Sequence, residues 1–395
     1  MAKNKILMVG TQGQVVSSGP GTFMRYLSEA IKSGALCAEI LYPHSKQGTP
    51  YGEESFVHCS NFAGMFYLRF PGSWVLTAFY VWLKLKFGCG SKQFSAFWFA
   101  DRFSALFCSL DPELRKRSIV MVNDDTRIFA YKESRSQGFL AQLHPRSLSR
   151  RLFYVSERFI CRRCCGVVSN SSYLSLLLEE EYGLVGKVKR LYKAVDLSKF
   201  KAVESGGRQN DVSPKSVLFL KNEWRRGGLD ILIEALAIGG LANLHLKIAG
   251  MDLKTDRTKI ESLIREKCYK GEVEFIGRVE REQIPALMAS SDMFCVPSRI
   301  EALGVAFLEA LATGITVIGT DTGGIPEVLA QGQAGWLVPV EDPVALSHAL
   351  NEVVNNKDLV ESKRTYGLKH ALEFSTEKMI EEIKILSKYF YGEAK

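Results

Sequence analysis

The sequence predicts an α/β protein of two doubly wound domains, each a parallel sheet covered by helices on both faces. Three observations carry this. Strand-like apolar runs alternate with helical segments through both halves of the chain. A polar stretch rich in Gly and Ser, "ESGGRQNDVSPK", separates the halves as a linker. The chain has 395 residues, long for one core. Two domains of roughly 200 residues each are the default at that length. The expected division is an N-terminal domain over 1–200, a linker over 201–215, a C-terminal domain over 216–375 and a last helix over 376–395.

In the first half, "KILMVG" (5–10) is a strand, followed by a loop to "GPGTFM" and a helix over roughly 22–32. Further strand-like runs are "SIVMVN" (118–123), "GFLAQLH" (138–144), "GVVSNS" (166–171) and "KVKRLY" (187–192). In the second half the strands are "VLFL" (217–220), "LHLKIAG" (244–250), "VEFIG" (273–277), "MFCVP" (293–297) and "TVIGT" (316–320). Helices alternate with them, so two such domains facing each other would form a cleft. In open α/β sheets a ligand lies beyond the carboxyl ends of the strands.

Residues 61–107 are unusually apolar. Their longest charge-free run, "FPGSWVLTAFYVWL" (70–83), is interrupted by Pro71 and Gly72 and stopped by Lys84 and Lys86. That falls short of the roughly 20 residues a membrane span needs. Aromatics mixed with Lys and Arg suit an interfacial helix on an anionic leaflet, and they equally suit the core of the first domain.

Hydrophobic residues at 46% and charged residues at 24% describe an ordinary globular chain rather than a disordered or fibrous one. The net charge of +8 is unevenly spread. Residues 1–200 hold 27 Lys and Arg against 15 Asp and Glu, and the remainder holds 24 against 28. A basic first half fits an anionic partner such as a phospholipid surface, a lipid diphosphate or nucleic acid, or else a solvated basic face. The nine cysteines are odd in number and scattered, and "MAKNKILMVG" carries no signal-peptide pattern. Both features lead to the expectation of a reducing cytoplasm, with a place at the inner face of the membrane open to it. "CRRCC", at Cys161, Cys164 and Cys165, has no second pair and no His at ligand spacing, so these read as buried small residues rather than zinc ligands.

Residues 298–314, "SRIEALGVAFLEALATG", place Glu301 and Glu309 on either side of an apolar stretch. Leu303-Gly304 reads as a turn and the segment after it as a helix. The first amides of such a helix lack internal partners and carry the positive end of the dipole, so a phosphate fits there and Gly304 lets it approach. Helical Cα–Cβ bonds tilt toward the N-terminus and aim Glu309 back at the same spot. The two acids then flank one anion; the alternative is a solvated Glu on an amphipathic helix beside a loop Glu. Upstream, "LFLKNEWRRGGLDILIEAL" places Lys221 and Arg226 in a loop before a helix, where two cations can clamp a diphosphate and neutralise it as a leaving group.

The run "VEFIGRVEREQIPALMASSDMFCVPSRIEALGVAFLEALATGITVIGTDTGGIPEVL" resembles the signature region of the retaining GT-B glycosyltransferases of glycosyltransferase family 4. Glu301 and Glu309 match the family's two glutamates separated by seven residues. Gly323, Gly324, Pro326 and Glu327 match its Gly-Gly-x-Pro-Glu turn, Gly277 its Phe-x-Gly strand, and Asp292, Pro297 and Ser298 its Asp-x-x-x-x-Pro-Ser segment. Lys221 and Arg226 stand where the family carries an Arg and a Lys on the donor phosphates. Asn170, Ser171, Val195, Asp196 and Phe200 match landmarks of the first domain, and Gly19 and Gly21 lie where the family has its glycine loop facing the donor. His144 matches a His often placed beside the transferred sugar. The resemblance is good from residue 166 onward, fair over 1–35 and 117–145, and poor over 45–115, where acceptor contacts diverge.

The resemblance implies a GT-B fold of two Rossmann-like domains and transfer of a sugar from a nucleotide diphosphate sugar to a glycan or glycolipid acceptor in surface-polysaccharide or lipopolysaccharide synthesis. It implies retention by same-face displacement, the departing phosphate helping to deprotonate the acceptor hydroxyl. Glu301 and His144 would act at the sugar, with Glu301 on its hydroxyls. Glu309 would hold the ribose hydroxyls, the Gly304 and Val305 amides the distal phosphate, and the last helix would cross back to the first domain. No metal or other cofactor is expected: none of the 13 aspartates has another two residues away, so there is no Asp-x-Asp to hold a metal-diphosphate.

Three competing readings remain. A dinucleotide-dependent dehydrogenase needs G-x-G-x-x-G directly after the first strand, where "GTQGQVVSSGPGTFM" offers a long loop and no third glycine. A catalytically inactive sugar-binding or scaffolding relative needs lost donor residues, and Glu301, Glu309, Lys221 and Arg226 keep usable chemistry. A nucleic-acid-binding protein needs a recognition signature beside the basic charge, and none accompanies it, so no nucleic-acid partner is expected.

Overall fold

The structure is a computed structural model that describes residues 5–10, 19–42, 57–59, 73–88, 93–125, 128–129, 145–201 and 215–391. The chain divides into two compact units, 1–192 with 379–395, and 193–378. The division falls at Tyr192, ahead of the expected linker. The segment after it belongs to the second unit because the Val195 amide donates to the Phe374 carbonyl at 2.8 Å and Val195 bridges Ser375.

In the first unit the order is β1 (Lys5–Val9), α1 (Gly19–Lys32), β2 (Ala38–Tyr42), β3 (Val57–Cys59), α2 (Ser73–Phe87), β4 (Phe94–Phe99), α3 (Leu106–Leu110) and β5 (Ser118–Val122). It continues with α4 (Pro145–Arg163), β6 (Gly166–Ser169), α5 (Ser172–Tyr182) and β7 (Val188–Arg190). The sheet has seven strands in the order β3-β2-β1-β4-β5-β6-β7. All its pairs are parallel. Strands buried on both faces read as continuous apolar runs, and "SIVMV" and "GVVS" do so with every residue buried.

The sequence reading missed β2, β3 and β4, and β4 lies inside the apolar region 61–107. Phe97, Trp98 and Phe99 on β4 are fully buried, so this part of the region is core rather than an interfacial segment. Its β-branched-poor composition, "FSAFWF", hides the strand. "GFLAQLH" lies outside the described residues. Cys161 and Cys164 are buried as expected, and burial pushes the Cys164 thiol up to about 12.

The second unit holds β8 (Ser216–Leu220), α6 (Leu229–Ile238), β9 (His245–Ala249), α7 (Leu253–Glu266), β10 (Val273–Gly277), α8 (Ile284–Ala289), β11 (Met293–Val296) and α9 (Val305–Thr313). Then come β12 (Thr316–Thr320), α10 (Ile325–Val328), β13 (Trp336–Val338), α11 (Pro343–Asn355) and α12 (Lys357–Ala371). Its six strands are ordered β10-β9-β8-β11-β12-β13 and are all parallel. The order reverses between β8 and β11, which makes the carboxyl ends of those two strands the topological switch point.

The last helix, α13 (Thr376–Tyr391), packs along the first unit. Gly166 leaves the room for it, since a Cβ there would lie 2.3 Å from the Phe390 ring. Lys189 stands over the Tyr389 ring at 4.5 Å.

Candidate functional site

The loops after β8 and β11 carry Lys221 and Glu301, which form an ion pair across the switch point of the second sheet. Their side chains stay 23% and 19% exposed, so the pair is accessible from the strand ends. Behind Lys221, Gly250 takes a positive φ of 96°, and a Cβ there would press on the Lys221 backbone at 2.8 Å.

Glu301 sits on a scaffold set by the glycine turn. The Gly324 amide donates to the Glu301 carbonyl at 3.1 Å. Gly323 has φ of +59°, and a Cβ there would fall 1.6 Å from the same carbonyl oxygen. Only glycine allows this approach. The Gly-Gly-x-Pro-Glu motif is therefore a support for the acid-bearing loop.

Gly304 is the N-cap of α9 in the left-handed region, at φ 92° and ψ 59°, with no side-chain cap. Phe307 and Leu308 amides return to the Gly304 carbonyl, at 2.9 and 3.4 Å. The Val305 and Ala306 amides precede the first helical bond, as the opening amides of a helix must. The helix start, Lys221 and the Glu301 loop thus lie at the carboxyl end of the sheet's central strands, an arrangement suited to an anion.

Glu309, one turn further along α9, is 2% exposed and paired with Arg281. Arg281 lies over the Phe200 ring at 5.4 Å. The carboxylate expected to reach for a ligand is thus held by a cation in the loop after β10. The sequence reading missed Arg281; its position just past a strand's carboxyl end was the available signal.

Arg226 donates from Nε to the Ile300 carbonyl at 3.2 Å. It lines an open depression of about 540 Å³ with Trp224, Asp230 and Arg299. Arg299, also missed, ties the two loops together. Its amide donates to the Arg226 carbonyl at 2.9 Å. Its guanidinium makes paired bonds to Asp230 at 2.9 and 2.7 Å, and reaches Glu341 at 3.0 Å and the Arg225 carbonyl. Bonds to these carboxylates raise the Arg299 pKa above its ordinary value. Burial works to raise the Asp230 pKa, but the Arg299 bonds and charge outweigh it and hold the carboxyl below its usual range.

Lys221, Arg226, Glu301, Gly304, Val305 and Glu309 therefore share the second unit. Gly19 and Gly21 lie in the first turn of α1 in the first unit. His144 lies outside the described residues.

Residues 204–370 match the family model of glycosyl transferases group 1. The chain thus carries a group 1 glycosyl transferase domain in its second half. It is 26% identical over 247 residues to the D-inositol 3-phosphate glycosyltransferase of Corynebacterium urealyticum, covering 56% of this chain and 58% of the relative. It is 27% identical over 166 residues to a putative colanic acid biosynthesis glycosyltransferase of Salmonella typhimurium, covering 40% of each. The chain spans about half the length of the curated relatives it matches. Among solved structures it is similar to Anabaena HepE in complex with UDP, with a TM-score of 0.73 at 18% identity, over 97% of this chain and 100% of that one. That likeness shows the fold, a GT-B fold of two Rossmann-like domains.

Proposed function

We propose that the protein is a retaining, metal-independent glycosyltransferase that moves a sugar from a nucleotide diphosphate sugar to a lipid-linked or lipopolysaccharide glycan in cell-surface polysaccharide synthesis. The observation that carries this is the Lys221–Glu301 pair beside the uncapped start of α9, at the switch point of the group 1 domain. The activities of the relatives and the UDP held by Anabaena HepE support a nucleotide-sugar donor.

In this reading the α9 amides and the cations Lys221 and Arg226 take the charge that builds on the departing diphosphate. Glu301, held by Lys221 and by Gly324, receives the sugar hydroxyls. Glu309, oriented by Arg281, receives the ribose hydroxyls. The bond from the anomeric carbon to the phosphate oxygen breaks as the acceptor oxygen bonds to that carbon on the same face. The acceptor proton passes to the leaving phosphate.

Equilibrium binding of UDP, GDP and ADP without divalent metal, to the protein and to Glu309→Ala, tests the donor site. Selective binding that weakens in the variant is expected. Binding of none would support the inactive sugar-binding alternative, and an inverted anomeric centre in the product, read by NMR, would overturn retention.

A further inference from the structure

The apolar region of the first unit has two fates. Its strand β4 is core, but its helix α2 is apolar on both sides. Thr77, Ala78, Val81 and Leu85 face inward and are buried. On the opposite side Leu76, Phe79, Leu83 and Phe87 are exposed by 45, 42, 37 and 72%. They recur every three or four residues and so form one stripe. Lys84 and Lys86 border it on its two sides, Lys84 exposed and Lys86 held by Asp111 at 3.0 Å.

A second stripe lies on α4. Leu148, Leu152, Val155 and Phe159 are exposed by 62, 58, 57 and 38%, while Tyr154, Glu157, Ile160 and Cys161 are buried on the inner side. Arg151, Arg158 and Arg162 run along one border and Arg163 along the other. The helix carries six arginines and one acid, and that acid, Glu157, is buried against Arg102.

The two helices are neighbours. Trp74 of α2 and Phe153 of α4 lie 5.8 Å apart, and both rings meet Phe103, at 5.3 and 5.5 Å. Leu110, at the end of α3, adds another exposed apolar side chain at 46%. Single exposed apolar residues need no explanation, but two adjacent stripes with cationic borders do.

We infer that the outward faces of α2 and α4 together form a docking surface for an anionic lipid bilayer. Leu, Val and Phe enter the boundary of the acyl chains while Lys and Arg stretch to the headgroup phosphates. Charge selects this occupant. In a twofold contact between copies each patch meets itself, which would set the arginine borders of the two copies against each other. No helix among the described residues is long and apolar enough to cross a membrane, so the contact is one of lying on the surface. This inference goes beyond the transfer reaction and does not depend on it.

The test is co-sedimentation, without any donor, using phosphatidylcholine vesicles and vesicles with about one-third phosphatidylglycerol. The protein is expected on the anionic vesicles, with binding reduced by about 0.5 M salt. Leu152→Ser with Phe159→Ser, and separately Leu83→Ser with Phe87→Ser, should each weaken binding about tenfold or more. All four side chains are exposed, and circular dichroism checks folding. Should either pair misfold, Lys84→Gln with Arg162→Gln supplies the same test through charge. No binding by the unaltered protein, or equal binding by the α4 variant, overturns the inference. Equal binding to neutral vesicles overturns its charge basis. Self-association of the unaltered protein that the variants abolish would assign the surface to a second copy.

Discussion

Each unit carries a cation–glutamate pair just past the carboxyl end of a strand at its switch point, and the two pairs differ in burial. Arg102 follows β4 and pairs with Glu157; their side chains are 8% and 1% exposed. Lys221 follows β8 and pairs with Glu301 at 23% and 19%. In the first pair further partners close in: the Tyr182 hydroxyl donates to Glu157 at 2.9 Å, and Arg102 reaches Asp124 at 3.3 Å. In the second, an uncapped helix start lies alongside. The same chemistry is thus a closed strut in one unit and an accessible pair in the other.

The largest effect expected of breaking these pairs is on stability, in the first unit. Glu157→Ala leaves a buried guanidinium and a buried Tyr hydroxyl without their shared acceptor, a loss of about 3–5 kcal/mol. Thermal unfolding measures it. A variant that unfolds as the parent does, yet loses transfer, would break the contrast by making the first pair a working group.

Glu301→Gln reverses the pattern. Transfer should fall about 10²–10³-fold, the range seen when one polar group is removed from a charge-stabilising site. Stability should change by about 1 kcal/mol or less, because solvent already screens the pair. Unchanged turnover would remove Glu301 from the reaction.

The same contrast explains what was legible in the sequence. The second unit's site is written in residues whose local geometry admits few substitutes: Gly323 against the Glu301 carbonyl, Gly304 at a left-handed cap, and charges at strand ends. Their spacing left a solvated acid pair as the alternative, and the resemblance to a family motif marked the loops as a candidate site. Arg281 and Arg299 were missed because their partners Glu309, Asp230 and Glu341 lie far along the chain, and no spacing rule connects them. In the first unit the difficulty is chemical. Trp98 and Phe87 come from one apolar run, yet the first is fully buried and the second 72% exposed. Hydrophobicity states that a side chain leaves water, and only the packing of β4 and α2 decides whether protein covers it. The helix α4 was missed as a surface because its arginines mask the apolar period.

A smaller effect sharpens the comparison within the second unit. Arg299 is a positioning residue that joins the Arg226 loop to the Glu301 loop, and its bonds are about one-quarter exposed. Arg299→Gln should cost about 1–2 kcal/mol and raise the donor KM more than it lowers kcat, since the two loops lose their register. Arg299→Lys keeps the charge but not the paired bonds and should rescue only part of the KM effect. The pH dependence separates this from general loosening. Asp230 is held below its ordinary value by Arg299, so its contribution is fully present above about pH 4, the unfolded carboxyl value. It is lost as pH falls through the lower folded value. In Arg299→Gln only the backbone N–H groups of Asp230 and Ile231 still oppose the burial of Asp230, so its pKa rises from the parent's value and protonation begins at a higher pH. Parent and variant should therefore differ most near neutrality and converge in acid. A stability gap that stays constant from neutral to acidic pH would show that Arg299 acts through packing and not through Asp230.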